Sequence, residues 1–257
     1  MSEPPVNDFA ATPNPYAAPS STGDSVAKPL SHVGSILLQA AGILASNWGL
    51  FLLLVLLIWA PYEFALAFLE YNPEFDPFLF LVIALSTDAV ISALVAIVVL
   101  RATFDVAAGN AFDLKHALSA VWRLGIVLVV TDIIAGLIIM AGFILVVLPG
   151  IYLMVRLMLT SAIVVGERQW GSDAIRRSLA LTSGLFWPLL ALMLLFIALA
   201  FVPWGLFAAL LTYSADFDQW IFSAVFTTLV DAVAIYPTIC IGLLYRRLNN
   251  NDPDPFE

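Results

Sequence analysis

Apolar and polar positions along this chain follow a cycle: an amphipathic stretch, a long apolar run, a short polar or turn-forming break, and a second apolar run. From 31 to 47, Val33, Ile36, Leu37, Ala40, Ala41 and Leu44 recur at helical spacing. His32, Ser35, Gln39, Gly42 and Ser46 take the opposite face. That pattern predicts a helix lying in a membrane interface. The apolar runs Trp48–Leu69 and Phe78–Leu100 follow, separated by a loop carrying Glu70, Glu74 and Asp76. Each run is about the 20 residues that cross the hydrocarbon core.

The cycle recurs twice. Asp113 is positioned to cap a second amphipathic helix in which Leu114, Ala117, Leu118 and Val121 oppose Lys115, Ser119 and Arg123. Leu124–Val147 is the third span, Pro149-Gly150 reads as a turn, and Ile151–Val165 is a short returning span. Ser172 then caps a third amphipathic helix, with Ile175 and Leu179 opposed to Asp173, Arg176 and Arg177. Phe186–Leu211, interrupted by Pro188 and Pro203, and Trp220–Leu244 complete the set, with Asp216 and Asp218 in the loop between them. Trp48, Trp122 and Trp187 mark the interface at the start of each cycle.

The expected fold class is therefore all-α: a polytopic membrane protein with six transmembrane helices arranged as three hairpins, each preceded by an amphipathic interfacial helix. The membrane domain covers residues 30–248, with repeats at about 30–110, 111–170 and 171–248. Asp88-Ala89-Val90 and Asp231-Ala232-Val233 echo each other in spans two and six. Each unit has an even number of spans, so the repeats run parallel, unlike the inverted repeats of many transporters. Residues 1–29, rich in Pro, Ser and Ala, and 249–257 read as disordered tails. The start is acidic and lacks the basic and apolar regions of a signal peptide.

Composition supports the membrane class. Hydrophobic residues make up 62% of the 257, charged residues 11%, and mean hydropathy is +0.99. Soluble domains carry about a quarter charged residues. The net charge of −9 comes largely from tails and loops. Basic residues have a sharper distribution. Lys28, Arg101, Lys115, Arg123, Arg168, Arg176, Arg177, Arg246 and Arg247 fall on one set of connectors, and the opposite loops hold acids alone. By the positive-inside rule both termini are cytoplasmic, in a multi-pass protein of the cell inner membrane.

Candidate chemistry lies in the buried charges. Asp88, Asp132, Asp231 and Arg156 sit inside apolar spans, where each costs roughly 2.5–3.5 kcal/mol on insertion scales. They are expected to face one another or a wet cavity, with Arg156 paired to a carboxylate. Three acids cannot all pair with one cation, so an ion, proton or polar-substrate path is the functional alternative. Lys115, Arg123, Arg176 and Arg177, on the polar faces of interfacial helices, are candidate contacts for anionic lipid, each worth about 1 kcal/mol near the headgroups.

Other chemistry is sparse. Cys240 is alone, so disulfide frameworks and cysteine metal clusters are excluded. His32 and His116 form no metal pattern, and no glycine-rich phosphate loop with its lysine is present. No metal or cofactor is called for, and no basic, aromatic-interleaved surface invites nucleic acid. The expected partners are membrane lipids, and the polyproline-like segment Asn14–Pro19 in the N-terminal tail offers a strand for a protein partner.

The middle of the chain carries a resemblance. Pro149-Gly150-Ile151-Tyr152-Leu153, Val155-Arg156-Leu157, Ala174-Ile175-Arg176-Arg177-Ser178-Leu179 and Thr182-Ser183-Gly184-Leu185-Phe186-Trp187 resemble the membrane domain of glycerophosphoryl diester phosphodiesterases. Similar domains occur without an enzyme in small bacterial membrane proteins. The resemblance covers roughly residues 110–210 and implies a membrane topology; the family's active site belongs to a separate soluble barrel. The function expected is thus non-enzymatic, a membrane protein organising anionic lipid or partner proteins. The alternative is a transporter or channel using Asp88, Asp132, Asp231 and Arg156, and a more distant one is an intramembrane aspartyl hydrolase built on Asp88 and Asp231.

Overall fold

The computed structural model describes residues 29–110, 114–213 and 219–249. The expectations for both tails, the docking strand at 14–19, the Asp113 cap and the loop acids Asp216 and Asp218 lie outside them, as do the side chains of His32 and His116. All regular structure among the described residues is helical, with six helices long and apolar enough to cross a membrane. The chain is a polytopic all-α membrane protein.

Helix α1 (Pro29–Ser46) is the first amphipathic element. It buries Ile36, Ala40 and Ile43, so its contact stripe is turned slightly from the expected one: Ile43 is inside and Ala41 outside. The first span is α2 (Trp48–Leu54), a π-helical turn (Val55–Trp59) and α3 (Ala60–Glu70). Pro61 has no N–H, and its ring would strike the carbonyl four residues back in a regular helix. The wide turn accommodates it: the Ala60 N–H reaches the carbonyl of Val55, five residues back. Helix α4 (Pro77–Ala107) starts on Asp76, whose Oδ1 accepts from the Leu79 N–H at 2.8 Å, with Pro77 as first helical residue.

The second cycle departs from the expected form. Helix α5 (Leu114–Leu145) is continuous, so the second amphipathic helix and the third span are one rod. Nothing between Val121 and Leu124 breaks a helix, and the apolar run continues the same 3.6-residue period. Pro149-Gly150 is not the turn. The chain reverses at Val146, which is extended (φ −163°, ψ 148°), and α6 (Val147–Leu157) contains both residues. Proline is tolerated in a first helical turn, where the N–H has no partner to lose. Gly150 is required by packing: a Cβ there would come within 2.4 Å of the Phe143 ring, and one on Gly142 within 3.1 Å of the Gly150 backbone. The returning span breaks after Leu157 and resumes as α7 (Thr160–Glu167). Then follow α8 (Ser172–Leu181), α9 (Phe186–Tyr213) and α10 (Gln219–Asn249). Gly171, not Ser172, is the N-cap of α8; Ser172 is its first helical residue.

Packing is uneven along the bundle axis. In α4 no residue before Ala93 is buried, whereas Ile97, Val98 and Val99 have no exposed surface. Ala162 to Val165 of α7 are likewise fully enclosed. These residues meet the early part of α5 and the late part of α10 at the end that carries the basic connectors. Helix α3 packs chiefly on α10 rather than on its hairpin partner α4, so the three hairpins are not structurally alike. Toward the other end large apolar side chains face outward, among them Phe78, Leu85, Ile144 and Leu148. In the fifth span just 11% of the apolar window is buried within the protein. Surface so apolar is a solvent contact with lipid, not with water. Trp48, Trp122 and Trp187 are 66%, 90% and 75% exposed, as residues reaching into an interface must be.

Candidate functional site: an acidic cleft

The middle parts of α4, α5 and α10 diverge where the tight packing ends. They leave a cleft of about 500 Å³ lined by Trp59, Ser92, Asp132, Asp231 and Thr238 among smaller apolar residues. Trp59 closes the π-helical turn, so the backbone adjustment forced by Pro61 ends on the cleft wall. The Asp132 carboxylate accepts a hydrogen bond from Ser161 Oγ at 3.1 Å. Glu63 on α3 comes within hydrogen-bonding reach of Asp231, and Asp88 lies close enough to act on Asp231 electrostatically. Tyr62, beside Glu63, bonds through its hydroxyl to Thr87 at 3.1 Å, next to Asp88. Two of the expected intramembrane charges, Asp132 and Asp231, thus share one space, and Asp88 and Glu63 act on Asp231 without lining it. A carboxylate inside an apolar span is itself the signal for Glu63; its place beside Asp231 depends on the packing of α3 against α10.

Arg156 does not belong to this cluster, and the expected Arg156–carboxylate pair is absent. Its guanidinium lies at the end of α6 and donates to backbone: Nη1 to the Thr182 carbonyl at 3.0 Å, Nη2 to that of Leu179. These carbonyls close α8, whose last turn lacks helical partners and carries the negative end of the helix dipole. The exchange is reciprocal. The Arg156 carbonyl, itself in the last turn of α6, accepts from Ser178 Oγ at 2.8 Å and Thr182 Oγ1 at 3.2 Å. Tyr152 places its ring 5.6 Å from the guanidinium carbon, within cation–π range. Each helix therefore caps the other. Segments quoted for the phosphodiesterase membrane domain, Val155-Arg156-Leu157, Ser178-Leu179 and Thr182, are the ones that meet here.

The four expected lipid contacts separate in the same way. Arg177 Nε pairs with Glu167 at 3.2 Å, and Nη2 donates to Asn249 at 2.8 Å. Glu167 also accepts from the Tyr245 hydroxyl at 3.1 Å, which ties α7, α8 and α10 together. Arg177 is thus a structural cation. Arg176 is exposed on α8, Lys115 is exposed on α5, and Arg123 borders a second, smaller cavity at the basic end.

No family model, curated protein or solved structure matches the chain. The likeness to the phosphodiesterase membrane domain rests on the quoted residues.

Proposed function

We propose that this chain is a non-enzymatic, multi-pass protein of the cell inner membrane, with both termini cytoplasmic, that binds and passes a cation through the acidic cleft. The observation carrying this reading is that Asp132 and Asp231 line one cleft, with Glu63 and Asp88 beside Asp231 and no protein cation in contact among the described residues. Carboxylates in contact at membrane depth repel unless a proton or a cation sits between them. No three described His, Cys, Asp or Glu side chains stand close enough to hold one metal ion. The cargo favoured is therefore one that needs no ligand cage: a proton or a solute bearing an ammonium group.

The test is flux in liposomes containing the purified full-length chain and an internal pH dye, driven by a potassium diffusion potential. Wild type is expected to acidify or alkalinise the lumen faster than empty liposomes. Asp231→Asn and Asp132→Asn should each remove most of that difference. An ammonium-bearing cargo would appear as flux only when organic cation is supplied. Rates equal to those of empty liposomes under both conditions would remove the reading.

The other expectation, organisation of anionic lipid, is supported by a separate observation. Arg176 and Lys115 are exposed at the end where Trp122 and Trp187 project outward. An anionic lipid fraction that co-purifies with wild type and falls when both cations become Gln would favour it.

A further inference from the structure

We propose that Arg101, Arg123 and Arg168 form a binding site for a phosphate group at the basic end of the bundle. The phosphate could belong to a lipid headgroup or to a free ion; the recognising chemistry is the same. The three residues come from the late part of α4, the first third of α5 and the C-cap of α7. They line a cavity of about 250 Å³ with Ser119, Ala120 and Leu124. At about 30 Å³ per water, that space holds a tetrahedral oxyanion and several waters.

Three points lead to an anion. The first is convergence of like charge: Arg101 and Arg168 are close enough to act on each other unfavourably, and no carboxylate lines the cavity. Asp105, one turn beyond Arg101, acts on it electrostatically but makes no ion pair with it. The second is contrast with neighbouring cations. Arg177 is held by Glu167, Arg246 donates to the Phe104 carbonyl at 3.2 Å, and Arg247 to Ser35 and Gln39 at 2.9 and 3.0 Å. Among the described residues, no side-chain hydrogen bond or ion pair engages the guanidinium of Arg101, Arg123 or Arg168. The third is that Arg101 Nε is one of two buried side-chain donors without an acceptor among the described residues; the other, Arg156 Nε, belongs to a guanidinium that already donates to two carbonyls. A buried charged donor left unpaired is costly, and native structures rarely keep one without reason.

A phosphate answers all three. Its several oxygens accept from more than one planar guanidinium at once, which a single carboxylate does less fully. Trp122 adjoins Arg123, and Trp170 lies two residues after Arg168; they are 90% and 62% exposed, as indoles in a headgroup zone would be. Arg168 also holds a left-handed backbone, φ 58°, where glycine would be unstrained. A cation is kept at a position whose conformation argues against any side chain.

This site shares no residue with the acidic cleft, so either idea can fail while the other stands. The experiment uses the purified full-length chain and two probes: inorganic phosphate, and vesicles of phosphatidylglycerol in phosphatidylcholine compared with phosphatidylcholine alone. Binding is read from tryptophan fluorescence and from the rise in unfolding temperature. Arg168→Gly removes one charge and relieves the backbone. It should keep or raise the unfolding temperature without anion, yet weaken phosphate binding about tenfold, the loss of one charged hydrogen-bond partner. Arg176→Gln, outside the cavity, should bind as wild type does. Saturable binding of inorganic phosphate assigns a free ion; a response to phosphatidylglycerol vesicles alone assigns a headgroup. If neither probe binds wild type, or if Arg168→Gly binds as tightly as wild type, the site does not exist.

Discussion

The two ends of this bundle treat charge differently. At the basic end, where α4, α7 and α10 bury apolar residues against one another, Arg156, Arg177, Arg246 and Arg247 each hold named partners, mostly backbone carbonyls and neutral side chains. Toward the middle, where packing opens into the cleft, Asp132 has one hydroxyl and Asp231 has other acids. A charge supplied with partners by the fold is part of the fold. One that the fold gathers with its own kind is kept for something else. The arginine-lined cavity is the exception that applies the second case inside the first region.

The largest effect that tests this contrast is expected from Arg156→Met. It removes the charged donor from the carbonyls of Leu179 and Thr182, leaving them the Thr182 hydroxyl at 3.5 Å and the Leu185 N–H at 3.2 Å, and hydrogen bonds to a charged group contribute about 1.5–3 kcal/mol each. A loss of about 3 kcal/mol or more in detergent stability is expected from thermal unfolding. No change of Asp88, Asp132 or Asp231 to Leu should rescue it. Rescue by any of the three would restore the ion pair expected from sequence and erase the contrast. Arg156→Lys should recover only part, because an ammonium cannot fork between two carbonyls.

A smaller loss, about 1 kcal/mol, is expected from Ser178→Ala, which leaves the Arg156 carbonyl only the longer bond from Thr182 Oγ1. If the two helices cap each other as a unit, Ser178→Ala in the Arg156→Met background should cost less than it does alone. Strict additivity would make the two contacts independent.

The smallest effect should come from the open region. Asp231→Asn removes a charge that has like neighbours and no cation, so unfolding temperature is expected to stay within about 0.5 kcal/mol equivalent or to rise. A loss rivalling that of Arg156→Met would mean that Asp231 has a stabilising partner and that the cleft is structural.

The six spans were legible because a run of about 20 apolar residues is a one-dimensional signal. Their joints were less so. Pro149-Gly150 has the composition of a turn, but its glycine serves the Phe143 ring and its proline a first helical turn, while the reversal falls on Val146, which carries no turn signature. Asp132 and Asp231 could be singled out as charges in apolar surroundings, and they do share a cleft. Arg156 could be singled out equally well, but its acceptors are main-chain carbonyls, which every residue possesses and no pattern reveals. Arg101 and Arg168 each stood out only as connector charges; their convergence with Arg123 depends on how α4, α5 and α7 come together.

The mutual capping of α6 and α8 also bears on the order in which the protein is made. Thr182 follows Arg156 by 26 residues. At the usual 5–20 residues per second, the farther acceptor follows the arginine out of the ribosome by roughly 1–5 s. For most of that interval it bears the insertion cost with no carbonyl from α8 to offset it. The α5–α6 hairpin thus emerges ahead of the segment that supplies the acceptors of its arginine. The helix whose carbonyls hold the fourth span's arginine is translated after that span.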